Sequence, residues 1–252
     1  LLWLHGGPMC QYSYDCNPLL SWLASCGYFV MVPNVSGSTG NGLGFMTRVL
    51  DEGCGVADLS DCLACAEWLR TEAPRREPRL DLSRGVAVGG HSWGGYLTFM
   101  CMLQHKGGES VFSCGIAAAG ITDWFVQQRY TEVRYYDYAL MGGWVYEREV
   151  AARARAASPL TRASELRAPI LILHGDKDID VPFQQIPPFV EAAKRSQHPG
   201  AAVEYHAYPG EGHGMAGTEA QADYLARIKT FLRIHLKPWD FTDNPHGDLT
   251  AY

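Results

Sequence analysis

One serine in the stretch GHSWG is placed to do nucleophilic chemistry. Ser92 lies between Gly90 and Gly94, at the point where a β-type run gives way to an apolar helical pattern. A tight turn with an N-cap serine would use the same residue types. We favour a nucleophile elbow, a strained strand-to-helix turn that exposes the serine oxygen, because a Cβ at either glycine would collide with the neighbouring strand and helix.

A serine nucleophile needs a base, since its hydroxyl attacks a carbonyl only as its proton is removed. His213 is our candidate because it follows the last predicted strand and because imidazole titrates near neutral pH. Two other histidines, His91 and His174, are not expected to act as the base. His91, next to the serine, is expected to point away from it, and His174 is expected to pack or hydrogen-bond at its strand end.

Several carboxylates compete to hold the imidazole in the correct tautomer. Asp176, Asp178 and Asp180 all follow the apolar run 169–173. We favour Asp178 as the acid, with Asp176 capping the turn and Asp180 facing the substrate cleft. Asp123, after the preceding strand, is a further candidate. The chain order of serine, acid and histidine is that of α/β-hydrolases.

The negative oxygen that forms during attack on a carbonyl needs nearby N–H donors. In a nucleophile elbow one donor is the backbone N–H of the residue after the serine, here Trp93, and another comes from the loop after an earlier strand. The loop 5–8, with the sequence HGGP, fits this second role because its glycines let the main chain approach the oxyanion closely.

Apolar runs alternate with helical patterns and define the elements that must position these residues. Strands are predicted at 1–4, 28–32, 85–88, 111–118, 169–173 and 203–208. Helices are predicted at 19–25, 55–71, 96–105 and 188–195, with a helical excursion at 123–157 and a last helix that contains Leu225 and Leu232. This alternation predicts an α/β-hydrolase fold, with a mostly parallel central sheet covered by helices on both faces. Active sites in such sheets gather at the carboxyl ends of the strands.

Length and composition fit one main domain. The chain has 252 residues, 47% of them hydrophobic, and its net charge of −6 without a basic stripe argues against nucleic acid as a partner. No apolar run reaches the roughly 20 residues of a membrane helix. Because the chain begins inside an apolar strand, we expect N-terminal strands to be missing. Residues 1–236 are assigned to the catalytic domain and 237–252 to a surface tail.

No metal or organic cofactor is expected. Cys62 and Cys65 form a C-x-x-C pair, but they lie inside a helical pattern, with no second pair to complete a zinc site. Buried thiols are therefore the favoured interpretation. One disulfide among Cys10, Cys16 and Cys26 is an open alternative. Cysteine usage does not decide the cellular compartment of the protein, and a cytoplasmic location is favoured.

Six motifs, taken in order, resemble the catalytic domain of the prolyl oligopeptidase family of serine peptidases, closest to its acylaminoacyl-peptidase and dipeptidyl-peptidase branches. They are HGGP at 5–8, GSTGNG at 37–42, GVADLSDC at 55–62, GHSWGGY at 90–96, HGDKD at 174–178 and EGHG at 211–214. The resemblance implies Ser92, Asp178 and His213 as a catalytic triad. It also implies an upstream β-propeller that screens substrates by size.

Two loops depart from the pattern of that family. Other branches carry a tyrosine where this chain has His5, so the resemblance implies the backbone N–H of Gly7 as the second oxyanion donor. The family often has an arginine where this chain has Ser36, so an anchor for the next loop is expected to be missing. The glycine-rich loop 37–44 itself is expected to lie on the surface, since it lacks the Lys-Ser/Thr of a phosphate-binding loop and no helix is predicted directly after it.

The resemblance also implies residues that contact the substrate. Tyr130 and Val181, with Trp93, are implied to line an apolar pocket for the residue before the scissile bond. Tyr130 and Trp124 have core packing as an equal alternative. Asp180 lies where relatives contact the substrate backbone, and a carboxylate there would attract a free amino terminus.

Three functions from different classes are compatible with these residues. The leading hypothesis is a serine peptidase that hydrolyses short peptides through an acyl-enzyme intermediate. A carboxylesterase on the same fold is the second, because a fold does not fix the substrate. A non-catalytic interaction module is the third, and the presence of serine, aspartate and histidine argues against it.

Overall fold

A five-stranded parallel sheet forms the centre of the structure. The computed structural model describes residues 1–236 and 238, so the predicted tail lies almost entirely outside the described residues. The strands are β1 (Leu2–Leu4), β2 (Ala87–His91), β3 (His105–Lys106), β4 (Glu109–Ser110), β5 (Cys114–Ala118), β6 (Ile170–Gly175) and β7 (Val203–Tyr208). The main sheet has the order β1-β2-β5-β6-β7, and every neighbouring pair in it is parallel. The predicted parallel sheet is confirmed, and β3 and β4 add a small antiparallel hairpin that was not predicted.

Strand residues alternate between two apolar cores because successive side chains point to opposite faces of a sheet. In β6, Ile170 and Ile172 join one core, whereas Leu171 and Leu173 join the other. The helices are α1 (Pro18–Ser25), α2 (Leu43–Asp51), α3 (Ala57–Thr71), α4 (Ala73–Arg76), α5 (Trp93–Met102), α6 (Trp124–Tyr130), α7 (Arg134–Met141), α8 (Arg148–Ala156), α9 (Ile186–Ala193) and α10 (Thr218–His235). Helices α3, α5 and α9 contribute to the first core, and α1 and α10 to the second, so both faces of the sheet are covered.

The predicted helical excursion between β5 and β6 consists of α6, α7 and α8. Asp123 caps α6 by accepting a hydrogen bond from the Phe125 N–H at 2.8 Å, and α7 ends at Gly142 in the left-handed conformation. The excursion contacts the loop after β6, because the N–H of Glu132 donates to the carbonyl of Ile179 at 3.0 Å. It therefore lies at the carboxyl edge of the sheet, beside the predicted site.

Residues 28–32 do not form the predicted strand. Met31 alone makes a bridge to the sheet, donating to the carbonyl of Leu1 at 2.9 Å and accepting from the N–H of Trp3 at 2.8 Å. Pro33 follows closely and has no N–H with which to extend a ladder. Residues 28–32 are apolar, as the pattern indicated, but only Met31 forms a bridge to the sheet.

The glycine-rich loop differs from its prediction in three ways. Helix α2 begins at Leu43, inside the range predicted to be a loop, and packs Val49 into the core. Ser36 and Ser38 are fully buried, so the start of the loop is not on the surface. An anchor for the loop was expected to be missing, but Ser36 provides one. Its backbone N–H and its hydroxyl donate to Asp61 Oδ2 at 2.7 and 2.6 Å. The loop is therefore anchored to α3 through Ser36, and the expectation of a missing anchor is wrong.

All eight cysteines lie in the described residues and are free thiols. The possible disulfide among Cys10, Cys16 and Cys26 is therefore not formed, and Cys62 is buried as a small apolar side chain. Among the helices that the structure describes, none combines the length and the apolar character needed to cross a membrane.

Candidate active site

Ser92 forms a strained turn between β2 and α5. Its φ of 60° and ψ of −118° are rarely adopted by residues other than glycine. A Cβ on Gly90 would lie 2.6 Å from the carbonyl carbon of Gly94, and one on Gly94 would lie 2.7 Å from the carbonyl carbon of Leu4. The Ser92 side chain makes no capping hydrogen bond to α5. The alternative of a plain N-cap turn is therefore excluded, and the serine oxygen is free to face another partner.

That partner is His213, from the loop after β7. The Ser92 hydroxyl lies 2.9 Å from His213 Nε2, and His213 Nδ1 lies 2.8 Å from Asp178 Oδ2. The carboxylate requires a proton on Nδ1, so Nε2 is left to accept the serine hydroxyl. The structure thus places the three predicted side chains in one hydrogen-bonded chain, in the orientation that lets His213 take the serine proton.

Asp178 is buried and fully paired. Its Oδ1 accepts the backbone N–H groups of Asp180 at 3.0 Å and Val181 at 2.8 Å, and its Oδ2 lies 3.3 Å from His174 Nε2 as well as facing His213. Burial by itself would raise the pKa of Asp178, but the hydrogen bonds from His174, His213 and Val181 together hold it well below its usual range. The carboxyl group is therefore ionised throughout the neutral range.

The other three candidate acids, Asp123, Asp176 and Asp180, are placed differently from Asp178. Asp176 Oδ1 accepts the Gly210 N–H at 2.7 Å, which fits the expected turn cap, and Asp123 caps α6. Asp180 lies next to the triad: one oxygen from its carboxylate, one from Asp178 and one ring nitrogen of His213 all lie within 4.8 Å of one another. Asp178 is thus the carboxylate that meets His213 directly, and Asp180 adds a second negative charge beside it.

The loop after β1 passes over the serine. A Cβ on Gly6 would lie 3.4 Å from Ser92 Cβ and 3.8 Å from its Oγ, and Gly7 has a φ of +124°, which favours glycine. His5 Nε2 lies 2.8 Å from the Ser38 hydroxyl and ties this loop to the buried start of the glycine-rich loop. Trp93 begins α5, where a backbone N–H has no intrahelical acceptor. The two predicted oxyanion donors, the N–H groups of Gly7 and Trp93, thus belong to the segments on either side of Ser92.

His91 was expected to point away from the serine, but its ring lies against His213. Its Nε2 donates to the carbonyl oxygen of His213 at 2.6 Å, and the two imidazole rings are 4.7 Å apart. Burial and the nearby His213 lower the pKa of His91 to about 4, so its ring is neutral at neutral pH. The expectation failed because it considered only the elbow, whereas the contact depends on a loop that is distant in sequence.

We expect His91→Phe to lower kcat about three- to tenfold, since the loop that carries His213 would lose one hydrogen bond worth about 0.5–1.5 kcal/mol. Phenylalanine keeps the ring but cannot donate to the carbonyl. Steady-state kinetics measure the loss, and His206→Gln, on β7, serves as the control. An unchanged kcat in His91→Phe would show that this bond does not position the histidine.

The predicted substrate-contacting residues lie around the loop after β6. Val181 is buried beside the triad, and Asp180 is held by its carbonyl oxygen, which accepts from Thr131 Oγ1 at 2.8 Å and Gln127 Nε2 at 2.9 Å. Tyr130, at the end of α6, is 50% exposed. It precedes Thr131 and is thereby placed next to this loop.

Two other residues of α6, Trp124 and Gln127, are buried. Trp124 is fully buried and belongs to the core. Gln127 was not predicted to contribute, because a glutamine in a helical pattern gives no signal of its contact across the chain.

A parallel sheet with a serine elbow, followed by an aspartate and a histidine after later strands, defines an α/β-hydrolase. The sequence pattern of the prolyl oligopeptidase family matches residues 14–238. The chain belongs to this family, and the resemblance seen in the motifs is confirmed.

The chain is similar to proteins that are named as peptidases. Dipeptidyl peptidase family member 6 of Caenorhabditis elegans is 28% identical over 240 residues, which are 91% of this chain and 30% of that protein. Dipeptidyl aminopeptidase BIII of Pseudoxanthomonas mexicana is 29% identical over 245 residues, 92% of this chain and 32% of that protein. A Pyrococcus horikoshii acylaminoacyl peptidase matches with a TM-score of 0.81 and 27% identity, over 95% of this chain and 37% of its own. The chain therefore spans about a third of the length of these relatives.

Proposed function

We propose that this protein is a serine peptidase that hydrolyses short peptides through an acyl-enzyme intermediate. The observation that carries the proposal is the hydrogen-bonded chain from Ser92 through His213 to Asp178, with distances of 2.9 and 2.8 Å, on a strained elbow. Membership of the prolyl oligopeptidase family supports peptides as the substrates.

The proposed reaction uses each of these groups in turn. Ser92 Oγ attacks the scissile carbonyl carbon while His213 Nε2 takes the hydroxyl proton, and Asp178 stabilises the imidazolium that forms. The N–H groups of Trp93 and Gly7 stabilise the oxyanion of the tetrahedral intermediate. The imidazolium then protonates the leaving amine, and a water molecule, activated by the same imidazole, hydrolyses the acyl-enzyme.

The substrate side of the proposal rests on Tyr130, Val181 and Asp180. We propose that the half-exposed ring of Tyr130 contacts the residue before the scissile bond, and that Val181, buried next to the Asp178 carboxylate, backs this pocket. The Asp180 carboxylate, close to the triad and without a partner for its side chain among the described residues, offers a negative charge to a protonated amino group. We propose that substrates with a free amino terminus are preferred.

A comparison of three substrate types tests this proposal in the full-length protein. We expect hydrolysis of a dipeptidyl anilide, with kcat/KM about tenfold higher for the unblocked than for the N-acetylated form, as for one charge-assisted hydrogen bond. Asp180→Asn should reduce that preference. Hydrolysis of short-chain esters with no amide cleavage would favour the carboxylesterase alternative. An unchanged preference in Asp180→Asn would remove Asp180 from amine recognition.

The division of the protein is also a proposal. We assign residues 1–236 to the catalytic domain, which the family match over 14–238 supports. The greater length of the relatives is compatible with an additional domain in the whole protein. The β-propeller implied by the family resemblance stays a prediction.

A further inference from the structure

We propose that Gln127, on α6, is a positioning residue that holds the Asp178 carboxylate in place through one shared peptide group. The inference rests on the proposed hydrolase chemistry of Ser92. The shared group is the peptide between Asp180 and Val181, called the 180–181 peptide below. Gln127 Nε2 donates to its carbonyl oxygen at 2.9 Å, and its N–H donates to Asp178 Oδ1 at 2.8 Å. No step of the proposed reaction otherwise accounts for Gln127.

The orientation of the Gln127 carboxamide is determined by its partners. Its Nε2 lies 2.9 Å from the Asp180 carbonyl oxygen and 3.1 Å from Asp137 Oδ2 on α7. A carbonyl oxygen only accepts hydrogen bonds, so the NH₂ group must face it. The two N–H groups can then serve these two oxygens, one each, while Oε1 accepts from Gln185 Nε2 at 3.0 Å.

Gln185 leads to the same orientation from the other side. Its Oε1 accepts the backbone N–H groups of Thr122 at 2.7 Å and Asp123 at 3.0 Å, so its own NH₂ group faces Gln127 Oε1. Thr122 and Asp123 lie between β5 and α6. The Gln127 carboxamide is therefore fixed relative to the end of a central strand as well as to the loop after β6.

This network lies away from water. Gln127 is 1% exposed, and Asp137 and Gln185 are also buried. Hydrogen bonds between buried groups are electrostatically stronger than those in water, and bonds in a chain polarise one another. A donor at the carbonyl oxygen of the 180–181 peptide therefore makes the N–H at its other end a better donor to Asp178.

Two side chains of one segment bind the same carbonyl. Besides Gln127, the hydroxyl of Thr131, directly after α6, donates to the Asp180 carbonyl oxygen at 2.8 Å. A carbonyl oxygen has two lone pairs, and here both have a donor. The 180–181 peptide is therefore restrained in two directions by the helical excursion.

The 180–181 peptide in turn restrains the catalytic acid. Asp178 Oδ1 accepts the N–H groups of Asp180 at 3.0 Å and Val181 at 2.8 Å, and Oδ2 faces His213 Nδ1 at 2.8 Å. The two oxygens of a carboxylate move together, so a shift of the peptide at Oδ1 also displaces Oδ2 from the imidazole. A misplaced carboxylate stabilises the imidazolium less in the transition state, while binding of the substrate is little affected.

The next residue, Gln128, provides a matched control. It is also buried in α6, and its carboxamide likewise binds two backbone groups. Its Nε2 donates to the Gly143 carbonyl at 3.1 Å, and its Oε1 accepts the Val145 N–H at 2.8 Å. Both partners follow α7, so these bonds stay within the helical excursion. Loss of Gln128 should therefore cost stability without reaching Asp178.

A comparison of Gln127→Met and Gln128→Met in the full-length protein tests the proposal. Methionine keeps the approximate size of glutamine and removes its hydrogen bonds. The substrate is the N-acetylated dipeptidyl anilide, which has no amino group for the Asp180 carboxylate. We expect Gln127→Met to lower kcat about tenfold at parental KM, within the roughly hundredfold that a 1 Å misplacement can cause. The rate of fluorophosphonate labelling should fall by a similar factor, whereas Gln128→Met should keep both parental rates.

A parental kcat or a parental labelling rate in folded Gln127→Met would overturn the proposal. An equal loss in Gln128→Met would also overturn it, because the effect would then be a general one of the excursion. If Gln127→Met fails to fold, Thr131→Val replaces it, since it removes the other donor to the same carbonyl. Slower labelling of Thr131→Val supports the proposal, and parental labelling overturns it.

The labelling rate also separates this proposal from the proposed function. Labelling of the parent without peptide cleavage rejects only the peptidase function, and the comparison of Gln127→Met with Gln128→Met is then read from labelling rates. A parent that is not labelled rejects Ser92 as the nucleophile, and the positioning role of Gln127 with it.

Discussion

Ser92→Ala is expected to abolish labelling by a fluorophosphonate probe and to lower kcat by about 10⁶-fold, the loss typical for removal of the nucleophile of a catalytic triad. Alanine keeps the Cβ but has no oxygen to attack a carbonyl or a phosphorus atom. His213 Nε2, now 2.9 Å from Ser92 Oγ, would lose its partner, and no other hydroxyl group lies within hydrogen-bonding distance of it among the described residues. Labelling intensity on a gel and steady-state kinetics measure the two effects.

The control for this experiment is Ser83→Ala, a change of the same type in an exposed loop. It should label and turn over like the parent. The elbow does not depend on the hydroxyl, since the Ser92 side chain makes no cap, so Ser92→Ala should fold with an unchanged thermal midpoint. Equal labelling of Ser92→Ala and the parent would refute the assignment of the nucleophile, and with it the proposed function.

Local patterns in the sequence were enough to predict the sheet. Strand β6 begins with the continuous apolar run 170–173, whereas β7 alternates apolar residues with Glu204 and His206. The polar clusters after both strands are conspicuous because they begin where these patterns stop. The elbow has a comparable local cause, since Gly90 and Gly94 leave space that only hydrogen can fill. Where a residue type answers a local steric demand, the sequence alone reveals it.

Contacts between distant loops could not be predicted in this way. His91 meets the carbonyl of His213, and Ser36 meets Asp61, because of how loops pack after the sheet has formed. Met31 shows the reverse case. Residues 28–32 have the composition of a strand, but only Met31 among them forms a bridge to the sheet.

Asp178→Asn is expected to lower kcat by about 10⁴-fold, the effect of the corresponding change in other serine triads. The structure supplies the reason. Oδ1 accepts two backbone N–H groups, from Asp180 at 3.0 Å and Val181 at 2.8 Å, so the asparagine oxygen would remain there. The amide NH₂ would then face His213 Nδ1, forcing the proton onto Nε2. In that tautomer the imidazole donates toward Ser92 and cannot remove its proton.

Neighbouring aspartates make the Asp178 experiment decisive. Asp176→Asn keeps an oxygen that can accept the Gly210 N–H, so its kcat should stay close to that of the parent. Asp180→Asn should change the preference among substrates, with a far smaller effect on kcat than Asp178→Asn, because Asp180 does not meet His213 Nδ1. Circular dichroism checks that each variant is folded. A parental kcat in Asp178→Asn together with a 10⁴-fold loss in Asp180→Asn would transfer the acid role to Asp180, because the imidazole would then depend on the carboxylate nearer the cleft.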